Sequence, residues 1–254
     1  MSARFPRRLA RLLAAAALAI QAGLAIGPVG AAGATGFRLD LAEPRDFVAQ
    51  TNFVQCVGAS MQMMLNILRP GSDRTAATQL ELQNVARRLS PSRRDGIVRD
   101  GASAVGWSEG LNELGAGPYK LVGLATLDEA LVVAARAISE THRPVGLLVW
   151  RGRHAWVMSG FEATADPLSG RDFAVTRAIV LDPLYPHGSS LWGPSPRPRQ
   201  ALAPSALGRQ FVPRHGWRIT GGTVPDSPMA DLNGKYVLVL PYSPIVLPRS
   251  QLLL

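Results

Sequence analysis

An α+β fold, helices first and an antiparallel sheet afterwards, is what this sequence predicts. Amphipathic helical patterns crowd residues 56–140, and short apolar runs rich in Val, Leu and Ile, bounded by Gly, Pro or Asp, follow them. No internal repeat and no heptad pattern runs through the chain. Its 254 residues suit a leader plus one domain of roughly 220 residues, enough to bury a single core.

The leader is read first. Arg4, Arg7, Arg8 and Arg11 precede an uncharged stretch lasting until Arg38, with an alanine- and leucine-rich run between Leu12 and Ile26. A basic start followed by an apolar run is the form of a secretory signal. Gly27, Pro28, Gly30 and Gly33 break the helix around Ala32-Gly33-Ala34, an A-x-A sequence. Residues 1–34 are therefore expected to be a signal peptide cleaved after Ala34, and residues 35–254 an exported domain, secreted or held in the cell envelope or periplasm. An uncleaved anchor is the alternative, because the 26 uncharged residues 12–37 can span a bilayer of about 30 Å. The domain would then meet the membrane only through its leader.

Charge narrows the partners. The formal charge of +9 includes four leader arginines and no leader acid, so the mature part holds 23 basic against 18 acidic residues, or +5. Its arginines are scattered, with short clusters at Arg87-Arg88 and Arg93-Arg94, and the few aromatics are not interleaved with them. Nucleic acid is not an expected partner, whereas anionic envelope polymers or acidic substrates are compatible. One cysteine, Cys56, cannot form an internal disulfide, so in an exported protein it is either buried and inert or working.

Each element has its own signal. Residues 35–49 read as extended, with Phe37 and Leu39 alternating with charges. Val57–Leu68 reads as a helix with Val57, Met61, Met64, Leu65 and Leu68 on one face and Cys56 at its N-terminal tip, stopped near Pro70-Gly71. A second helix is predicted from Thr75 to Leu89, with Ala76, Leu80, Leu82, Val85 and Leu89 as its apolar face and Pro91 as its stop. Residues 90–106 read as a loop, and Trp107–Leu114 as a helix closing at Gly115-Ala116-Gly117. Leu127–Glu140 is a helix with Thr126 as N-cap and Asp128 and Glu129 in its first turn. Pro144–Val149, Ala155–Phe161, Ala174–Leu181 and Tyr236–Leu240 are strands, with a hairpin at Arg151-Gly152-Arg153. Between Tyr185 and Pro228, dense in Pro and Gly, one short helix is predicted at Ser205–Phe211.

Chemistry concentrates on four residues. A cysteine alone is more often a buried apolar residue than a nucleophile, but a helix N-terminus favours the thiolate, its reactive form. Gln50, six residues upstream in Gln50-Thr51-Asn52-Phe53-Val54-Gln55-Cys56, can donate its amide to an oxyanion. A cysteine nucleophile needs a base in the histidine range. His142 lies at a helix end, and His187 and His215 lie in loop-rich sequence. His154 opens a strand directly after a hairpin, so it can project from the sheet toward Cys56. Asp182, closing a strand before Pro183, can fix the tautomer of His154 provided the two strands pair in the right register. Asp166 and Asp172 read as turn or surface residues.

Together these motifs resemble the papain-like cysteine peptidases. Gln50-x5-Cys56 at a helix head, His154 leading an apolar strand into Gly160-Phe161, and Asp182-Pro183 after a further strand carry the likeness. It is nearest to the branch around the double-glycine leader peptidases, which process bacteriocin precursors, and their exported stand-alone bacterial relatives. Thr126-Leu127-Asp128-Glu129-Ala130, Arg143-Pro144-Val145-Gly146 and Gly234-Lys235-Tyr236-Val237-Leu238-Val239-Leu240-Pro241 also fall within it, so it covers most of residues 45–242. The resemblance implies a nucleophile helix packed on a C-terminal antiparallel sheet, Cys56 as nucleophile, His154 as base then acid, Asp182 as orienter, and Gln50 with the Cys56 N–H as oxyanion hole. Two departures stand out: Gln55 occupies a place often held by Asp or a small polar residue, and the connection from His154 to Asp182 is longer than in the leader peptidases.

The expected function is an exported cysteine peptidase hydrolysing amide bonds of a peptide or protein, with no cofactor and no metal. Alternatives with the same residues are a cell-wall peptide amidase, an acyl transferase, or a catalytically silent peptide-binding module of the same fold.

Overall fold

β4, residues His154–Ala163, pairs with strands on both its edges, and all of it but Glu162 is buried. A strand covered on both faces needs apolar residues at consecutive positions rather than alternating ones. The computed structural model describes residues 36–69, 71–91, 100–216 and 229–243. The leader, Pro70, Arg93-Arg94 and residues 217–228 lie outside the described residues. No helix among those described is long and apolar enough to cross a membrane.

The described residues form an α+β fold, with five helices and a largely antiparallel sheet among them. Helices α1 (Cys56–Leu68), α2 (Ala76–Arg88) and α3 (Ala104–Glu113) lie on one face of the sheet, and α4 (Leu127–Thr141) on the other. Along β4 the side chains divide accordingly. Ala155 and Val157 join Met61, Met64 and Trp107 in one core, while Trp156 and Met158 join Leu131, Ala134 and Ile138 in the other. The sheet runs β2 (Tyr119–Leu124), β9 (Tyr236–Pro241), β3 (Val145–Val149), β4, β5 (Val175–Leu181), β8 (Gln200–Leu202). Strand β1 (Phe37–Asp40) pairs with Gly160–Ala163 of β4, beyond the stretch His154–Met158 taken by β3. Two short strands, β6 (Gly188–Ser189) and β7 (Gly193–Pro194), form a separate ribbon, and α5 is a single turn, Pro204–Leu207.

The structure extends the expected sheet. Leucine-rich Tyr119–Leu124 carries Lys120 and Gly123 and stands between two helices in sequence, so it lacks the pattern of the other strands, yet it pairs along its whole length with β9. The leading segment 37–40 joins β4 as a strand. At the crossing, a Cβ on Gly160 would lie 2.1 Å from the Leu39 carbonyl oxygen, so only glycine lets β1 approach.

Helix starts follow capping chemistry. Thr126 and Glu129 form a reciprocal capping box on α4. Ser103 accepts from the Gly106 N–H, so α3 begins at Ala104, three residues before the position predicted from its apolar pattern. The predicted helix 205–211 shortens to 204–207, with residues 208–211 continuing only as turns. In α2 the buried face is Gln79, Leu82, Gln83 and Ala86, while Leu80, expected inside, is exposed.

Gly58 lets α1 sit against α2. A Cβ there would meet the Gln79 carbonyl oxygen at 2.6 Å and the Gln83 Cβ at 2.9 Å. Alanine is favoured over glycine in a helix by about 1 kcal/mol, but overpacking against backbone costs about 3 kcal/mol at the upper end of its usual range. Gly58→Ala is therefore expected to lower unfolding free energy by about 2 kcal/mol in urea titration; unchanged or raised stability would mean that the α1–α2 contact yields freely.

Candidate active site

Three of the four residues singled out in the sequence come together at one end of β4. β5 runs antiparallel to β4 with Leu181 opposite Val157, so Asp182 emerges beside the strand start that carries His154. His154 Nε2 donates to Asp182 Oδ1 at 2.7 Å. An ionised carboxylate only accepts, which puts a proton on Nε2 and leaves Nδ1 as the other functional nitrogen. Interaction with the Cys56 side chain also acts on the His154 ring, favouring its protonated form. With Nε2 bonded to Asp182, Nδ1 is the nitrogen left to exchange a proton with the sulfur.

Burial, the largest single influence on His154, opposes its protonation, but the bonds to Asp182 and Cys56 and the charges of both outweigh it. The pKa is raised to about 9. The pair is nearly dry, His154 at 4% and Asp182 at 0% exposure. Asp182 Oδ1 also accepts the Leu184 N–H, whereas Oδ2 is buried with no protein donor. His154 is thus the chief partner of that carboxylate.

Local sequence explains each placement. Cys56 is the first residue of α1, where its N–H has no acceptor within the helix. Ser60, one turn further on, donates to the Ala155 carbonyl oxygen at 3.2 Å and fastens the helix to the residue after His154. The turn into β4 is held unusually: Trp150 and Arg151 have φ of 55° and 58°, left-handed values that side chains resist, before Gly152 at 91°. Gln210 secures the turn twice, its carbonyl oxygen accepting the Trp150 N–H at 2.9 Å and its Oε1 the indole Nε1–H at 2.5 Å. The indole then stacks on His154 with ring centroids 4.2 Å apart. An aromatic face over imidazolium favours the charged form.

Gln50 is placed beside the cluster by its backbone. Its N–H donates to the Pro183 carbonyl oxygen at 2.8 Å, next to Asp182. Its side-chain Nε2 donates to Asn52 O within the same loop at 2.8 Å, and Oε1 is buried without a partner. A primary amide has two N–H groups, so one remains after the Asn52 bond. Gln55, which departs from the Asp or small polar residue often found before the cysteine, is buried, and its Oε1 accepts the Thr51 hydroxyl. The other histidines stand elsewhere: His142 caps α4 in a left-handed conformation, and His187 and His215 are exposed in loops. Asp166 accepts the Leu168 N–H in a turn, and Asp172 is exposed.

Ser60, Trp150 and Gln210 were not singled out in the sequence. Ser60 lies four residues from Cys56, on the same helix face, and Trp150 adjoins the predicted hairpin, but neither position has meaning until the strands pair. Among the described residues no three His, Cys, Asp or Glu side chains are grouped as metal ligands. No protein-family model matches the chain, and comparison with curated proteins finds no match.

Because the folded pKa of His154 lies above its unfolded value near 6.5, this proton stabilises the fold fully below pH 6.5, and that stabilisation is lost as pH rises through about 9. Urea titrations at pH 6 and pH 9.5 are expected to differ in that direction, and the difference should shrink in His154→Gln, which cannot titrate. Equal stability at both pH values in the wild type would contradict the assignment.

Proposed function

We propose that this chain is an exported cysteine peptidase of papain-like fold, hydrolysing amide bonds in a peptide or protein. The observation that carries the reading is the buried His154 ring bonded to the buried Asp182 carboxylate and acted on by Cys56, since a packed core has no use for a thiol, an imidazole and a carboxylate together. The helix-first position of Cys56 and the antiparallel sheet behind it are compatible with that fold.

The proposed cycle follows from the proton positions. Cys56 thiolate attacks the carbonyl carbon, forming a C–S bond and moving the C=O electron pair onto oxygen. The Cys56 N–H and the remaining Gln50 amide N–H stabilise that oxyanion. His154 Nδ1 then delivers its proton to the leaving nitrogen, the C–N bond breaks, and a thioester remains. Water, deprotonated by His154, attacks the thioester, the C–S bond breaks, and the acid leaves as the Cys56 thiolate and the His154 imidazolium of the starting state are restored. Asp182 keeps the ring oriented throughout.

Alkylation by iodoacetamide tests the thiol without a substrate. Cys56 is expected to label rapidly at pH 6–7, where a free cysteine, with pKa about 8.5, is only slightly ionised. Labelling should slow in His154→Ala and in His154→Gln, the latter keeping a donor for Asp182. A thiol inert until denaturation would overturn the reading. With a peptide substrate, Gln50→Ala should lower kcat by about 100-fold or more through loss of one oxyanion donor, and Cys56→Ala should abolish turnover.

A further inference from the structure

Helix α2 carries two buried glutamines four residues apart, Gln79 and Gln83, at 1% and 2% exposure. Each amide uses both its ends on the loop that holds Gln50 and Cys56. Gln79 Nε2 donates to the Ala49 carbonyl oxygen at 3.0 Å, and Gln79 Oε1 accepts the Thr51 N–H at 2.8 Å. These are the two residues flanking Gln50. Gln83 Nε2 donates to the Val54 carbonyl oxygen at 3.0 Å, and Gln83 Oε1 accepts the Gly58 N–H at 2.9 Å. These stand two positions before and two after Cys56. A second bond from Gln83 Nε2 reaches the Asp100 carbonyl oxygen at 3.0 Å.

Residues four apart on a helix lie one above the other, about 6 Å apart. Two amides at that spacing therefore hold the six-residue interval from Gln50 to Cys56 at fixed length. Packing alone would favour apolar groups on this face, yet Leu80 is exposed while the glutamines are buried. A buried amide is retained at low cost only when its donors and acceptors are matched, and here each oxygen and each nitrogen has a backbone partner. Gly58 completes the arrangement, since its missing Cβ admits the Gln79 carbonyl oxygen and the Gln83 side chain.

We propose that Gln79 and Gln83 are positioning residues for the oxyanion hole, Gln79 setting the Gln50 amide and Gln83 setting Cys56 and its N–H. This rests on the reading of Cys56 as a nucleophile. Neither glutamine touches the reacting atoms; they fix the distance between the two groups that receive the developing negative charge. A displacement of about 1 Å at such a site costs on the order of 100-fold in rate.

Two reagents separate the effects. Iodoacetamide alkylates the thiolate with no oxyanion on the path. p-Nitrophenyl acetate acylates it through one: the C–S bond forms, the ester C–O bond breaks, and p-nitrophenolate leaves with its electron pair. Gln79→Leu is expected to keep alkylation within about twofold of wild type while acylation, read as the p-nitrophenolate burst, falls about 10- to 100-fold. Gln83→Leu should slow both, because it frees the start of α1 as well. Gln79→Glu retains the acceptor for Thr51 N–H and loses the donor to Ala49, and should fall between wild type and Gln79→Leu. It is read in place of the leucine variant if that variant shows no cooperative unfolding. Folded variants that acylate within about threefold of wild type would overturn the proposal while leaving the nucleophile reading intact. A native thiol that reacts with neither reagent would overturn both.

Discussion

The hydrogen bond from His154 to Asp182 depends on a single register. Were β5 to slip by one residue against β4, Asp182 would turn to the opposite face and its carboxylate would be buried without a cation. The pairing of Leu181 with Val157 excludes that, and the core enforces it, because the same slip would reverse the side chains that meet α1 and α4. Hydrophobic burial thus determines where the polar pair forms. Removing one partner of such a pair typically costs about 3–5 kcal/mol, so the geometry of the cluster and the stability of the sheet end are one property.

Around that bond the chain uses backbone hydrogen bonds to hold what side chains alone would leave loose. Ser60 fastens α1 to β4, the Gln50 N–H fastens the loop before Cys56 to Pro183, and Gln210 holds the Trp150 turn in a conformation of poor intrinsic energy. Each connection joins a different element to the same corner. Left-handed Trp150 and Arg151 cost on the order of 1–2 kcal/mol each, a strain that persists because Gln210 and the indole stack over-determine the turn. That stack lies on the ring proposed to move the proton.

Legibility in the sequence followed the range of the interactions. Cys56, His154 and Asp182 each sit at an element boundary marked by local signals: a helix start, a residue after a glycine turn, a residue before proline. Periodicity found α1, α4 and the four central strands for the same reason. Residues whose role arises only when distant segments meet were not legible. Gln79 and Gln83 interrupt an apolar pattern, so the period favoured Leu80 instead, and the actual inward face became visible only from its bonds to residues 49–58. Tyr119–Leu124 was missed because its strand identity comes from β9, more than a hundred residues away in the chain.

Cys56 and His154 are proposed to share a proton as a working pair. Nitrogen-15 chemical shifts of the His154 ring, followed from pH 5 to 10 in wild type and Cys56→Ala, measure this most directly. Both ring nitrogens should remain protonated through pH 8, with a midpoint near 9 in the wild type and a lower one once the sulfur is removed. A midpoint near 6.5, unmoved by loss of the thiol, would mean that the two residues do not form such a pair.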